Sequence, residues 1–457
     1  MNLFPQNLNM NFFFDTDNSA TPRKGRVEGR HKVTGAATYS AEYEVDNGLY
    51  GVFVGSKIAS GNLRKIHVDD AKSIAGVVDV MTVDNKPLIE NLNDPEKFKN
   101  IRLSFPIFHT REIQHADQFI ALVLAETLED ATYAASLVYA DYDKTPMDVD
   151  FEPSDGELKE VGEERGNTAD WQDESHVVEE EYTIAMEVHN PMEMHATTVV
   201  WDDDQLTLYD KSQNVGGVQR VISSIFDLEL DHVRVISEFV GGGFGAGLLV
   251  WPHTVAAVMA TKMTGRPVKV MLTRPQMFTQ VGHRPESWQR VKMAANDDGK
   301  LVGIKHEAKH ANSLLRFHSD GIVGISRKVY DFTHVKTFEA RPQLNLPPPT
   351  WMRGPGDSTG SFAVETAIDE LCYELEKDPV TLRINNIAPN ELETGKPWSS
   401  HYLAECLAQG AETVGWKNRK QKPKATKEGD WWVGYGVAVG LWNAYRQRAS
   451  ASVELTK

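Results

Sequence analysis

Residues 239–247 read FVGGGFGAG, and this stretch constrains how the surrounding chain can fold and what it can bind. Glycine has no side chain, so a run of glycines brings the backbone close to a ligand and leaves its N–H groups unshielded. Consecutive N–H groups of this kind form a concave binding site for an anion. Phe244 interrupts the run with one large apolar ring, which would form a wall of the site. The run alone leaves a tight surface turn open as the alternative.

The flanking sequence predicts a strand before the run and a helix after it. Residues 232–240 (HVRVISEFV) alternate as a partly buried strand does, and Pro252 suits the first turn of a helix that Gly265 would end. A glycine loop between a strand and a helix is a known phosphate-binding arrangement. The spacing GGGFGAG, however, fits neither the dinucleotide fingerprint nor the P-loop. An unrelated phosphate-binding α/β enzyme is therefore one of the alternatives.

Two polar side chains that are distant in sequence complete the candidate site. Gln213 follows the predicted strand 206–210, so its amide can form a hydrogen bond at the end of that strand; a structural capping role is its alternative. Arg353 lies between prolines and glycines that stiffen its loop, and its guanidinium can bind a phosphate, a pterin edge or an oxo group through paired hydrogen bonds. An exposed salt bridge is the alternative for this arginine.

These stretches resemble, in the same order, motifs of the molybdenum-binding subunits of the xanthine oxidase and aldehyde oxidoreductase family. Residues 29–35 (GRHKVTG) with Tyr39 are similar to the start of that family's small α/β hammerhead domain. Residues 212–214 (SQN) resemble the segment whose glutamine approaches the metal. Residues 241–245 (GGGFG) resemble the glycine–phenylalanine loop, and residues 352–356 (MRGPG) resemble the arginine loop.

The resemblance covers residues 26–457, and within the family it is to the bacterial aldehyde oxidoreductases of periplasmic type. It implies a mixed α/β (α+β) fold in which a hammerhead domain precedes the first half of a molybdopterin-binding domain, with the start of a second half at the C-terminus. Together with composition it predicts a flexible leader (1–25), the hammerhead domain (26–145), an acidic linker (146–172), the first molybdopterin-binding domain (173–416), a linker (417–430) and the truncated start of the second (431–457).

The resemblance also implies a cofactor, a reaction and partners. Phe244 would contact both cofactor and substrate, and Leu248 and Leu249 stand where purine-hydroxylating relatives carry an acidic group, which disfavours purines. The implied reaction is oxidative hydroxylation of an aldehyde or an N-heteroaromatic compound, with electrons passing to iron–sulfur and FAD subunits. The residues expected to bind a molybdopterin with molybdenum, in the cytosine dinucleotide form usual in bacteria and with no metal ligand from the protein, are Gln213, Gly242, Gly243, Phe244, Gly245 and Arg353.

No catalytic residue is assigned, because the glutamate that serves as the family's base is expected beyond Lys457. Glu454 lies in an alternating segment that predicts a plain strand, so it is not taken for that base. Loss of a general base costs about 10² to 10⁴-fold in rate. We therefore expect the chain alone to be inactive unless a C-terminal remainder completes it. A non-catalytic cofactor-holding or assembly protein derived from the family is the alternative.

Composition excludes several other classes of protein. A net charge of −17 argues against non-specific nucleic-acid binding, which depends on neutralising phosphates. Two cysteines, Cys372 and Cys406, are too few for an iron–sulfur cluster, so neither that centre nor FAD is expected on this chain. No segment reaches the roughly 18 apolar residues of a membrane span. The N-terminus lacks a signal-peptide pattern, so the periplasmic location that the resemblance implies would require export with a partner; otherwise the protein is cytoplasmic.

Two further groups are interpreted as structural. His306 and His310 have the spacing of a helical metal site, but residues 301–304 predict a strand, on which the two would lie about 13 Å apart, too far to share a zinc ion. Trp431 and Trp432 begin an apolar run that predicts a core segment.

Overall fold

The computed structural model describes residues 25–93, 103–167, 171, 174–442, 448, 450, 451 and 453. They form the mixed α/β fold that the sequence predicts. The predicted leader, apart from Gly25, lies outside the described residues, as do Glu454 and Lys457. The helices are α1 (Gly29–Thr34), α2 (Asp69–Lys72), α3 (Glu90–Asn93), α4 (Leu128–Leu137), α5 (Val215–Phe226), α6 (Pro252–Thr264), α7 (Met277–Gln280), α8 (Asp357–Glu374), α9 (Pro379–Asn386) and α10 (Leu403–Thr413).

The strands form two larger sheets, a three-stranded sheet and two short pairs. The first strands are β1 (Leu49–Gly55), β2 (Gly61–His67), β3 (Val77–Thr82), β4 (Glu112–Ile113), β5 (Phe119–Ala125), β6 (Tyr139–Lys144), β7 (Lys159–Glu160), β8 (His176–Ile184), β9 (Ala196–Asp202) and β10 (Gln205–Asp210). The later strands are β11 (Val233–Ile236), β12 (Val268–Met271), β13 (Ser287–Ala295), β14 (Leu301–His310), β15 (Asn312–Ser313), β16 (His334–Ala340), β17 (Gln343–Leu344), β18 (Lys427–Glu428) and β19 (Trp431–Trp432).

A seven-stranded sheet, in the order β11-β10-β9-β12-β1-β5-β3, positions the candidate site. β12 pairs with β1 in parallel, with Leu49 opposite Val268, so strands from both sides of the predicted linker 146–172 belong to one sheet. Helices α5 and α6 cover one face of this sheet and contribute side chains such as Ile222 and Val258 to the largest core cluster. The apolar side chains of these helices and of the strands therefore bury one another.

β10 and β11 run parallel and adjacent, with Leu206 opposite Val233. The carboxyl ends of parallel strands meet at the same edge of a sheet, which is where ligands bind in open α/β folds. Gln213 follows β10 and the glycine run follows β11, so the fold brings both to this edge. β11 ends at Ile236, earlier than the predicted strand 232–240, because the chain leaves the sheet to enter the loop. Helix α6 begins and ends as predicted, with Gly265 capping it at a φ of 66°.

A five-stranded sheet, in the order β7-β16-β14-β13-β8, forms a second core with α8 and α9. β7 lies within the predicted acidic linker 146–172, and Glu160 pairs with Phe338 of β16. Trp171 is only 2% exposed. Part of this segment is thus sheet and core rather than solvated linker. An edge strand leaves charged side chains in water, so its composition resembles that of a loop. The domain boundaries remain a prediction.

The two structural interpretations have different outcomes. His306 and His310 lie on β14, as predicted. The later part of the apolar run that Trp431 and Trp432 begin does join the second core, where Val439 is 5% exposed. The prediction is wrong for the two tryptophans themselves, because their exposed fractions are 74% and 58%. They form a two-stranded hairpin with β18, which is too small to bury two indole rings. Among the described residues, no helix has both the length and the apolar character needed to cross a bilayer.

Candidate functional site

Gln213 organises the glycine loop (residues 241–247). Its Oε1 accepts hydrogen bonds from the N–H groups of Gly245 at 3.1 Å and Gly247 at 3.0 Å. The backbone N–H of Gln213 donates to the carbonyl oxygen of Gly247 at 2.8 Å. The predicted hydrogen bonding at the strand end is confirmed, and its partner is the loop. Asn214 caps α5 by accepting from the N–H of Gly217, so Gln213 does not cap that helix. Its structural role is instead to hold the backbone N–H groups of the loop.

The glycine loop has a conformation that most residues cannot adopt. The φ angles of Gly242, Phe244 and Gly245 are 98°, 53° and 116°, all in the left-handed region. A Cβ atom on Gly245 would lie 2.1 Å from the carbonyl oxygen of Trp351, so glycine is required there by space as well as by φ. A bulky residue with positive φ is uncommon, and such residues concentrate at binding sites. The side chain of Phe244 is 44% exposed and therefore accessible to a ligand.

Three consecutive N–H groups at the tip of the loop form no hydrogen bond with any residue that the structure describes. The N–H of Gly241 donates to Glu193 Oε2 at 2.7 Å, and the N–H groups from Gly245 onward bond to Gln213 or within the loop. Within the part of the chain that the structure describes, the N–H groups of Gly242, Gly243 and Phe244 form no hydrogen bond. Of the N–H groups in the glycine run, these three are therefore the ones left for a cradle of the predicted kind.

Arg353 joins the same site through its backbone. Its N–H donates to the carbonyl oxygen of Phe244 at 2.8 Å, so the arginine loop (residues 351–356) contacts the tip of the glycine loop. The Arg353 side chain is exposed and pairs with no carboxylate of the described residues, so its salt-bridge alternative is wrong. Together with Gly354 and Ser358 it lines a cavity of about 480 Å³. The three sequence-predicted segments thus converge, and the guanidinium is available to a ligand.

Arg284 holds the arginine loop in place and was not identified from the sequence. Its Nη2 donates to the carbonyl oxygen of Arg353 at 2.7 Å and to that of Met352 at 3.2 Å. Its Nη1 pairs with Glu187 Oε2 at 2.7 Å. His189 Nε2 lies 2.7 Å from the carbonyl oxygen of Trp351, at the start of the same loop. Nothing in the local sequence around Arg284 distinguishes it from a surface arginine.

A buried polar cluster lies directly before Gln213 in the chain. Burial raises the pKa of Asp210 to about 6, and its carboxylate accepts a hydrogen bond from Thr254 Oγ1 at 3.1 Å. Burial lowers the pKa of Lys211 to about 8, and Nζ of this lysine lies 3.1 Å from His195 Nε2. Burial also lowers the pKa of His195 well below its usual value, so the neutral ring accepts from the ammonium group. A charged pair at the end of a buried strand was the available sequence signal.

The described residues contain no group of three or more histidine, cysteine or carboxylate side chains that could together hold a metal ion. His306 bonds to Ser326 Oγ through Nδ1 at 2.7 Å and to Gln289 Oε1 through Nε2 at 3.1 Å. Both of its ring nitrogens are thus used in a structural network. The candidate site, by contrast, presents hydrogen-bond donors, and donors of this kind bind an anionic group.

Two segments match known protein families. Residues 154–387 match the molybdopterin cofactor-binding domain. Residues 34–146 match the a/b hammerhead domain of aldehyde oxidase and xanthine dehydrogenase. The first match contains the glycine loop, Gln213 and Arg353.

Similar proteins cover most of this chain. The aldehyde oxidoreductase molybdenum-binding subunit PaoC of Escherichia coli K12 is 34% identical over 442 residues, which cover 94% of this chain and 59% of that protein. The putative xanthine dehydrogenase molybdenum-binding subunit XdhA of the same organism is 29% identical over 90% of this chain and 58% of its own length. This chain therefore spans just under three fifths of these relatives.

Solved structures with the same fold include two oxidoreductases. Quinoline 2-oxidoreductase from Pseudomonas putida 86 superimposes with a TM-score of 0.75 at 19% identity, over 86% of this chain and 54% of that one. Aldehyde oxidoreductase from Desulfovibrio gigas superimposes with a TM-score of 0.72 at 21% identity, over 86% of this chain and 47% of that one. At these identities the likeness concerns the fold alone.

Proposed function

This chain belongs to the aldehyde oxidase and xanthine dehydrogenase family of molybdenum-binding subunits, and from that premise we propose that its three converging loops hold a molybdopterin that carries molybdenum. The observation that carries the proposal is the pair of loop contacts: Gln213 with Gly245 and Gly247, and Arg353 with Phe244. The alternative of an unrelated phosphate-binding enzyme is wrong, because the segment with these loops matches the molybdopterin cofactor-binding domain.

The chemistry of the exposed groups fits such a cofactor. The oxo and phosphate oxygens of a molybdopterin are hydrogen-bond acceptors and carry negative charge. The three unpaired N–H groups of residues 242–244 are donors, and the guanidinium of Arg353 adds a positive charge. Oε1 of Gln213 already accepts hydrogen bonds from the loop. The side-chain nitrogen Nε2 of Gln213 has no partner among the described residues and can donate to a ligand. These groups of the two loops are donors, while the cavity that Arg353 lines also includes the carboxyl group of Asp357.

The cofactor, when bound, supplies the redox chemistry of oxidative hydroxylation. This chain's own residues bind and orient it, and we propose the cytosine dinucleotide form of the pterin. Phe244, exposed at the loop tip, packs against the substrate through its ring. Leu248 and Leu249 follow the loop without an acidic group, which favours aldehydes or N-heteroaromatic compounds over purines.

The activity belongs to a larger assembly than this chain. The chain spans 59% of the relative PaoC. We propose that it acts as part of an oxidoreductase subunit whose electrons pass to iron–sulfur and FAD partners. A periplasmic location, reached by export with a partner, forms part of the same proposal. A non-catalytic cofactor-holding or assembly protein is the second candidate, because the groups that the two described loops offer are hydrogen-bond donors.

The test is cofactor content after expression in cells that make the cytosine dinucleotide form. We expect the purified protein to contain molybdenum and to release a pterin and a cytidine nucleotide on acid treatment. Arg353→Met should lower this content about tenfold or more, because a charge-assisted hydrogen bond contributes about 1.5–3 kcal/mol. Arg64→Met, at an exposed arginine on β2, is the matched control and should leave it unchanged. Wild-type protein without molybdenum and pterin would refute the proposal.

A second measurement separates the two candidates. The protein is combined with the proposed iron–sulfur and FAD subunits and supplied with an aldehyde and an electron acceptor. Turnover supports the oxidoreductase. Cofactor retention without turnover under these conditions supports the cofactor-holding protein instead.

A further inference from the structure

Glu193 forms two hydrogen bonds with Gly241, the first residue of the glycine loop. It lies in the connection between β8 and β9, nearly 50 residues before the loop. Its backbone N–H donates to the carbonyl oxygen of Gly241 at 3.1 Å. Its Oε2 accepts from the N–H of Gly241 at 2.7 Å. A Cβ atom on Gly241 would lie 2.6 Å from Cβ of Glu193, so the two residues are in close contact.

The other carboxylate oxygen is tied to the N-terminal part of the chain. Ser40 Oγ donates to Glu193 Oε1 at 3.1 Å. Ser40 is 5% exposed, and its carbonyl oxygen accepts from Thr198 Oγ1 on β9 at 3.2 Å. Lys32 Nζ donates to the carbonyl oxygen of Val240, the residue before Gly241, at 3.2 Å. Glu193 therefore links the loop to a segment that is itself anchored to the sheet.

A positively charged group, Lys211, interacts with the carboxylate of Glu193. The carboxylate lies close enough to Lys211 to favour the charged form of this lysine, although burial lowers the lysine pKa overall. Asp210 is the other acidic group that faces this cluster, and Glu193 disfavours its ionisation. Both oxygens of Glu193 are used by donors within the protein. A carboxylate in this state holds the loop without competing for the donors that face the ligand.

The unpaired N–H groups lie between two fixed points. Glu193 holds Gly241 on one side, and Gln213 holds Gly245 on the other. Only residues 242–244 lie between these points, and they carry the three N–H groups with no partner in the described chain. A span of three residues fixed at both ends has few alternative conformations. The hydrogen bonds of Glu193 with Gly241 and of Gln213 with Gly245 therefore set the direction of these N–H groups together.

We propose that Glu193 is a positioning residue, which fixes Gly241 so that the N–H groups of residues 242–244 converge on one anionic ligand. The identity of this ligand as a molybdopterin rests on the proposed function. The positioning itself does not, because it concerns the loop without its ligand. Glu193 acts through Gly241 and not by contact with the cofactor.

The first experiment is hydrogen–deuterium exchange of the cofactor-free protein, read residue by residue. If the bond between Glu193 and Gly241 had only a local effect, Glu193→Ala would lower exchange protection at the N–H of Gly241 alone. A positioning role predicts exchange about tenfold or more faster at the N–H groups of Gly245 and Gly247 as well, since the loop then opens as a unit. Glu193→Gln keeps one acceptor oxygen and should fall between Glu193→Ala and the wild type. Glu180→Ala, at an exposed glutamate on β8, should match the wild type.

Each outcome decides the proposal. Acceleration confined to the loop, with the sheets as protected as in the wild type, supports it. Acceleration at Gly241 alone, or none, overturns it. If Glu193→Ala unfolds globally, Glu193→Gln decides by the same criteria.

The second experiment measures how long the protein retains its pterin. Dissociation should be about tenfold faster in Glu193→Ala and partly restored in Glu193→Gln, with an unchanged thermal midpoint. Unchanged retention overturns the positioning role. Wild-type protein without any pterin would refute the proposed function, while the exchange experiment would still decide the role of Glu193.

Discussion

Gly243→Ala tests the glycine loop most directly, because the steric conflict that it creates has one means of relief. The added Cβ would lie 2.3 Å from Cδ and 2.4 Å from Oε1 of Gln213. These atoms are the end of a flexible side chain, so the amide can swing away. It then loses the hydrogen bonds from the N–H groups of Gly245 and Gly247. The structural consequence is a loop that has lost one of its two fixed points.

The magnitude follows from the bonds that are lost. A typical hydrogen bond contributes about 0.5–1.5 kcal/mol net, so two contribute about 1–3 kcal/mol to the closed loop. A factor of ten corresponds to about 1.4 kcal/mol. We therefore expect opening of the loop to become roughly fivefold to a hundredfold more frequent. Global stability should change less than loop opening, because the atoms that must move belong to the exposed side chain of Gln213 and not to the core cluster that Leu249 and Trp251 join.

Hydrogen–deuterium exchange at Gly245 and Gly247 measures this opening, and molybdopterin content should fall with it. Gly410→Ala is the matched control, because no atom lies within 4 Å of the added Cβ on helix α10. This control should leave the loop unchanged and stabilise the helix by about 0.5–1 kcal/mol. Wild-type protection of both amides in Gly243→Ala would show that Gln213 does not hold the loop.

Two further predictions concern stability. Arg383 is fully buried and donates through Nε to Glu365 Oε2 at 2.8 Å. Arg383→Met should lower the free energy of unfolding, measured by urea denaturation, by about 3–5 kcal/mol, because it leaves a buried carboxylate without its partner. Adding Glu365→Gln removes that charge and should recover much of the loss. Burial lowers the pKa of His253, His283 and His306 to about 3, so between pH 6.5 and 5 the unfolded chain binds protons that the folded chain does not. Stability should therefore fall by roughly 1.5 kcal/mol per histidine as the pH drops across this range, and His306→Gln should reduce the pH dependence by that amount; an unchanged slope would contradict this account.

Local sequence predicted the pieces of the site well. The alternation before the glycine run, Pro252 at the start of α6 and Gly265 at its end are signals within a few residues of one another, and the structure has the helix where they place it. Gln213 after a strand and Arg353 in a stiffened loop were also recognised, because residue type and immediate neighbours are enough for such an inference. The resemblance to a family then grouped these segments before any contact was known.

Other features depended on contacts that no local pattern records. Trp431 and Trp432 form an exposed hairpin, and β7 joins a sheet although its residues are acidic. Arg284 looks like any surface arginine in the sequence. Whether a strand or an apolar run is buried depends on what packs against it, and this is decided by partners far along the chain.

The amino-acid sequence was sufficient to establish which loops this protein has, because glycine, proline and alternating apolar residues act through the backbone of their own segment. Only the folded chain decided what those loops do to one another. The fold places Gln213 beside Gly245, 32 residues later, and Glu193 beside Gly241, 48 residues later. These contacts use up some donors and leave the N–H groups of residues 242–244 without a partner in the described chain, because hydrogen bonds form between atoms that are close in space and not in sequence.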